Sequence, residues 1–101
     1  MPKAPAPKPA SQVVEDSLHF QTSEGEVVIP LRFKTKLLRR IRKMDELDAF
    51  FEVIDNAAGQ ETAELIDELD SLETAGIVEA FFKAYQEKVD ATLGESRRSS
   101  S

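Results

Sequence analysis

Val27-Val28-Ile29-Pro30-Leu31-Arg32-Phe33-Lys34-Thr35-Lys36-Leu37-Leu38-Arg39-Arg40-Ile41 is the stretch in which the apolar period of this chain changes. Up to Pro30 the spacing is two. Val27 and Ile29 alternate with their neighbours, and upstream Leu18 and Phe20 alternate with His19 and Gln21, the pattern of strands with one buried face. Ser23-Glu24-Gly25 between the runs supplies turn chemistry, with Gly25 where a positive φ is needed, so residues 17–31 read as a β-hairpin. Pro30 ends the pairing because it has no N–H to donate. From Thr35 the spacing becomes three and four. Thr35 is placed to cap a helix with Leu37, Leu38 and Ile41 on one stripe and basic residues around the rest.

The same spacing continues downstream. Asp45 is placed to cap a second helix, Glu46 to about Ala57, whose expected buried face is Leu47, Phe50, Phe51, Ile54 and Ala57. Asn56 to Gly59 closes it. A third helix, about Glu61 to Leu69, offers Ala63, Leu65, Ile66 and Leu69. Asp70 to Glu73 fits an acidic capping box opening a fourth, which runs to about Val89 with Ile77, Val78, Phe81, Phe82, Tyr85 and Val89 inward. The fold expected is therefore α+β and mainly α: a short N-terminal β-hairpin, then a small bundle of three to four helices. A lone hairpin is marginal in water, so the face formed by Leu18, Phe20, Val27 and Ile29 must pack on the helices or join another chain's sheet. Its unpaired edges offer a route to oligomers.

The flanks have no such period. Residues 1–16, with Pro2, Pro5, Pro7 and Pro9 among Ala and Lys, are expected to be a disordered tail, since this composition cannot offset its ordering entropy. Residues 91–101, from Leu93-Gly94 to the closing serines, are expected to be a flexible C-terminal tail, leaving 17–90 as the one folded domain.

Charge is segregated along the chain. Arg32 to Lys43 holds seven basic residues and no acid, and Asp45 to Glu79 holds twelve acids and no base. Such opposed fields bear on association and partner choice more than on fold. The formal net charge of −6 disfavours general affinity for nucleic acid or anionic lipid outside the basic segment. Cysteine is absent, which excludes disulfides and thiolate chemistry and makes a cytosolic setting the expectation. No run has the length or apolarity of a signal-peptide core or a membrane span.

Catalysis finds little support. His19, the only histidine, falls on the outward side of the hairpin without triad partners, and the four glycines form no phosphate-cradling cluster. Asp67, Glu68 and Asp70 lack the glycine and the closing glutamate of an EF-hand loop. No catalytic, metal or cofactor site is expected, and the chain reads as a small interaction module.

The order of its features resembles the tail assembly chaperones of long-tailed, siphovirus-type phages of actinobacteria. The similarity runs from Leu18 to Ser96. It takes in a hairpin ending in Glu26-Val27-Val28-Ile29-Pro30, a basic helix with Leu38-Arg39-Arg40-Ile41-Arg42-Lys43, and an acidic stretch leading to Phe50-Phe51. An acidic leucine-bearing helix follows, then a closing helix with Phe81-Phe82-Lys83-Ala84-Tyr85 and the ending Leu93-Gly94-Glu95-Ser96. Tyr85 departs from the tryptophan common in such chains and keeps the aromatic anchor. The resemblance implies a non-catalytic assembly factor in the host cytoplasm, absent from the mature virion. It would bind the tape measure protein and keep it soluble until the tail tube forms. It also implies a longer product of ribosomal frameshifting, which recruits the tail tube protein, and copies arrayed as a homo-oligomer along the client.

Phe50, Phe51, Phe81, Phe82 and Tyr85 are the candidate client contacts, because adjacent aromatic pairs cannot both point into one small core. Arg39, Arg40 and Arg42 are the candidate charged contacts. Two rival classes stay open. One is a small nucleic-acid-binding regulator using the basic helix, which has no interleaved aromatics; the other is a structural tail or neck subunit that extends a neighbour's sheet.

Overall fold

A computed structural model of the chain describes residues 11–99, with side chains described to Gly94. It is mainly helical, with a three-stranded antiparallel sheet at the N-terminal end. The strands are β1 (Ser11–Val14), β2 (Ser17–Thr22) and β3 (Gly25–Pro30), in that spatial order. The expected β2–β3 hairpin is present, with Leu18 opposite Ile29 and Phe20 opposite Val27, so the period-two residues share one face. Neither Ser23 nor Glu24 takes a positive φ; Gly25 does, at 132°. Thr22 Oγ1 donates to the Gly25 carbonyl at 2.5 Å and accepts from Glu24 N at 3.1 Å, which closes the turn.

β1 corrects the expectation of a tail as far as Asp16. Val13 and Val14 are β-branched and suit a pleated surface, and Glu15, at φ 57°, completes a two-residue reversal that sets Val13 opposite Leu18. Leu31 N donates to the Asp16 carbonyl at 2.7 Å, tying this turn to the end of β3. The rest of the expected tail, residues 1–10, lies outside the described residues.

Helix α1 spans Thr35–Ile41, with Lys34 rather than Thr35 at the cap position and no side-chain cap. Leu37 and Ile41 are buried, whereas Leu38 is turned outward, contrary to the expected stripe. Helix α2, Glu46–Val53, is capped as expected: Asp45 Oδ1 accepts from Asp48 N at 2.8 Å. A π-helical turn, Ile54–Ala58, continues it to Gly59, which stops the run at φ 99°. Helix α3 is Gln60–Asp67 and helix α4 is Ser71–Ser99.

Asp70 Oδ2 caps α4 by accepting from Leu72 N at 2.8 Å. Glu73 does not complete a capping box. Its carboxylate crosses to the β2–β3 turn instead, where it accepts from Ser23 N at 3.0 Å and Ser23 Oγ at 2.6 Å. Those donors hold the Glu73 pKa below its ordinary value, the Ser23 hydroxyl more than the backbone N–H. α4 also runs past Val89 and through Gly94, where a tail was expected. A helix-interior glycine costs only about 1 kcal/mol, and no proline follows to break the ladder. At 1.5 Å per residue α4 is about 43 Å long.

The core lies between the inner face of the sheet and the helices. Leu18, Val27, Ile29 and Leu31 meet Leu37 and Ile41 of α1, Ala49, Phe50 and Val53 of α2, Ile54, Ile66 of α3, and Ile77, Val78, Phe81 and Ala84 of α4. Phe50 and Phe81 form its centre, edge to face with ring centroids 5.9 Å apart. No buried side-chain polar atom among the described residues lacks a partner.

Candidate partner-binding site

The buried face of α2 and the turn after it is Ala49, Phe50, Val53 and Ile54, which keeps Phe50 and Ile54 of the expected face, with Ala57 packed against the core, and leaves out Leu47 and Phe51. These residues, one, four and five positions apart, occupy a single arc of the helix. Leu47 and Phe51 are displaced from it, one turn apart on an adjacent arc, and remain 50% and 37% exposed. They form one wall of a groove of about 340 Å³. Ile66, Asp67 and Leu69 at the end of α3, with Ser71, Thr74 and Ala75 in the first turns of α4, form the rest. Leu72, beside Ser71 in the chain, is 81% exposed.

The groove has one charged lining residue, Asp67. Its residues fall within the segment from Asp45 to Glu79, which carries no base. Among the described residues Glu52 is the one acid of that segment in an ion pair, with Arg40 of α1. Glu46 and Asp48 flank Leu47 in the chain, and Asp67 stands in the groove wall. A largely apolar groove of this kind can bury a complementary apolar ridge.

The candidate aromatics separate into three environments. Phe50 and Phe81 are core residues with no surface to offer a partner, which corrects their selection as contacts. Phe51 lines the groove beside α2. Phe82 and Tyr85 are half-buried against the core, and Tyr85 stacks on Phe33 at 5.6 Å. Tyr85 also lines a second groove, of about 230 Å³, with Leu31, Val89 and Leu93. Asp16 stands at that groove, accepting from Arg32 Nε at 2.6 Å and paired with Lys88 at 3.0 Å. The Lys88 and Arg32 hydrogen bonds hold the Asp16 carboxyl below its ordinary pKa.

The candidate arginines do not act as one cluster either. Arg40 turns toward α2 and joins Arg32, Lys34 and Lys36 around a groove of about 510 Å³. Arg39 and Arg42 are exposed and in no ion pair among the described residues. His19 lies 3.4 Å from Glu26 across the β2–β3 ladder, on the outer side of the sheet. Among the described residues no group of three or more His, Asp or Glu side chains is placed to hold a metal ion. No helix among them is long and apolar enough to cross a membrane.

Leu47, Leu69, Leu72, Thr74 and Ala75 were not among the sequence candidates. A signal for them existed: Leu47, Ala49, Phe50, Phe51, Val53 and Ile54 cover too wide an arc for one buried stripe. Part of that set had to remain outside. Comparison with known proteins adds no assignment, since no protein-family model, no curated protein and no solved structure matches the chain.

Proposed function

We propose that this chain is a tail assembly chaperone of a long-tailed phage, a non-catalytic protein that binds the tape measure protein and keeps it soluble during tail tube assembly. The observation that carries this reading is the apolar groove of Leu47, Phe51 and Leu69, in which Asp67 is the one charged lining residue. Such a surface covers apolar segments of a client, while the net negative charge keeps the assembly dispersed. Many copies along one client bind by avidity without a tight single site. The ordered motifs from Leu18 to Ser96 supply the name of the client. A longer frameshifted form would carry the contact with the tail tube protein, and its added segment would continue from α4, which is still helical at Gly94.

The test is co-expression with the tape measure protein. Its soluble yield rises with the wild-type chain and falls back with Leu47→Asp, at a position in the same groove that keeps half its surface in water. Equal client solubility with and without the wild-type chain refutes the reading.

A second reading, a structural tail or neck subunit, has one observation in its favour. β1 is an edge strand with Val13 and Val14 both exposed, and such an edge can extend a neighbour's sheet. Detection of the chain in mature particles selects that reading over the chaperone, which leaves before completion.

A further inference from the structure

We infer that the basic groove at α1 is a docking surface for a second copy of this chain, which presents the acidic outward face of its α3 to it. The inference goes beyond the client-binding reading and does not depend on it.

The groove supplies one half of the contact. Arg32, Lys34, Lys36 and Arg40 line a space of about 510 Å³ whose other lining residues are uncharged. Arg32 and Arg40 each have an acid of this chain as partner, Asp16 and Glu52. Lys34, Lys36 and Arg39 are exposed and in no ion pair among the described residues. Leu37 and Ile41 face the core, which leaves Lys36, Arg39 and Arg40 on the outward side of α1. Cations that the fold neutralises only in part suit an anionic partner.

α3 supplies the other half. Its buried residue is Ile66, and Glu61, Glu64 and Glu68, three and four positions apart, fall on the opposite arc. All three are exposed and in no ion pair among the described residues. Glu64 accepts from the neutral Gln60 side chain at 3.3 Å. Charges on the two helices recur at the same spacing, about 4.5–6 Å along either axis, so helices lying side by side pair several of them at once. A single exposed pair contributes little, and a contact of this kind depends on that matching.

A nucleic-acid strand also offers anions, but the one aromatic of the groove, Phe33, is half-buried with its ring stacked on Tyr85 at 5.6 Å. No aromatic is left there to stack a base. A second copy brings carboxylates at the spacing of the cations and gives the unpaired acids of α3 their partners in the same step. Because every copy carries both surfaces, the contact joins unlike surfaces of identical chains. The net charge of −6 makes copies repel at a distance. At about 0.1 M salt the Debye length is about 10 Å, which screens that repulsion more than it screens pairs in contact.

The experiment uses the full chain in sedimentation equilibrium up to millimolar concentration. Self-association is expected at about 0.1 M salt and should weaken about tenfold or more at about 1 M, where the Debye length is about 3 Å. Concentration-dependent NMR shifts are expected at Lys34, Lys36 and Arg39 and at Glu61, Glu64 and Glu68. Glu61→Lys with Glu64→Lys should abolish association, although it lowers the net negative charge and so the repulsion between copies. Lys36→Glu with Arg39→Glu should abolish it as well. Mixing these two variants should restore it, since each then meets opposite charge, and that recovery shows both to be folded.

A chain that stays monomeric at millimolar concentration, association that strengthens at high salt, or a mixture no more associated than either variant alone overturns the proposal. So does association whose shifts are confined to β1 or to the Leu47–Phe51 groove. Retardation of DNA by the wild-type chain, lost with Lys36→Glu and Arg39→Glu, would assign the groove to nucleic acid and overturn it too. The chain is tested without its client, so a failure here leaves the client-solubility result standing, and the reverse holds.

Discussion

Phe50 and Phe51 are neighbours of one residue type, and the fold gives them opposite environments, so truncating each in turn tests the packing of α2 directly. Phe50 is fully buried and touches the Phe81 ring edge to face. Phe50→Ala removes a whole ring from a core that cannot collapse around the gap, a loss of about 3–5 kcal/mol. Phe51 keeps over a third of its surface in water, and alanine is the better helix former by a few tenths of a kcal/mol. The rest of its surface is covered and its ring lies edge to face with Phe50 at 5.6 Å, so Phe51→Ala should cost about 1–2 kcal/mol. Small domains have roughly 5–15 kcal/mol in all, so Phe50→Ala brings the chain close to unfolding in water. Phe50→Leu, at about 1–2 kcal/mol, keeps the comparison measurable. Urea unfolding followed by far-UV circular dichroism is the assay, because the chain has no tryptophan. With a urea slope of about 1–1.5 kcal/mol/M, Phe50→Ala shifts the midpoint down by roughly 2–5 M and Phe51→Ala by roughly 1–2 M. Equal shifts, or a larger one for Phe51, would refute the assignment of the buried face and with it the groove.

Two glycines should respond to alanine with opposite sign. Gly59 sits at φ 99° and ψ 159° with nothing near its Cα to clash, so Gly59→Ala costs backbone strain alone, about 1–3 kcal/mol. Gly76 is inside α4 with equally open space, and Gly76→Ala should stabilise by up to about 1 kcal/mol; a lowered urea midpoint for Gly76→Ala, or a raised one for Gly59→Ala, would contradict the assignment of that glycine. The acid limb of stability should carry the signature of Asp16 and Glu73. Both have folded pKa values lowered from ordinary values of 3.8 and 4.5. Their contribution is thus fully present above those ordinary values and is lost as pH falls through the lower folded ones. Asp16→Asn with Glu73→Gln should flatten the decline in thermal midpoint below about pH 4, and an unchanged acid limb would show that these carboxylates do not link the sheet to α4.

What the sequence made legible was set by how strongly each period constrained burial. The period of two in Leu18, Phe20, Val27 and Ile29 allowed one register around Gly25, and that hairpin is present. The four helices could be read because Asp45, Gly59 and Asp70 punctuate them. β1 escaped notice since four residues after a proline-rich run give too short a pattern, although Val13-Val14 before Glu15-Asp16 was a strand-and-turn signal. The far end of α4 escaped because Gly94 looked like a stop, and helix cooperativity outweighs one glycine. The groove was half legible. Aromatic doublets implied that some rings face outward, but which ring of Phe50-Phe51 does so depends on where the sheet and α4 lie against α2. That is tertiary information, and no local period contains it.

The charge segregation is the feature that folding explains least, and that bears on what it is for. Of the seven cations from Arg32 to Lys43, two are in ion pairs among the described residues: Arg32 with Asp16 and Arg40 with Glu52. Both arginines are exposed, and exposed pairs contribute about 0–1 kcal/mol. The other five cations, and most of the acids that follow, are therefore not arranged to hold this fold together. Arg39 and Arg40 lie in the last turn of α1, where the helix dipole favours each cation by about 0.3–1 kcal/mol and offsets their mutual repulsion. A stable fold of this size would be reached as well with the signs mixed, which also serves solubility. The separation bears on association, because a partner outside the chain can then meet one sign at a time.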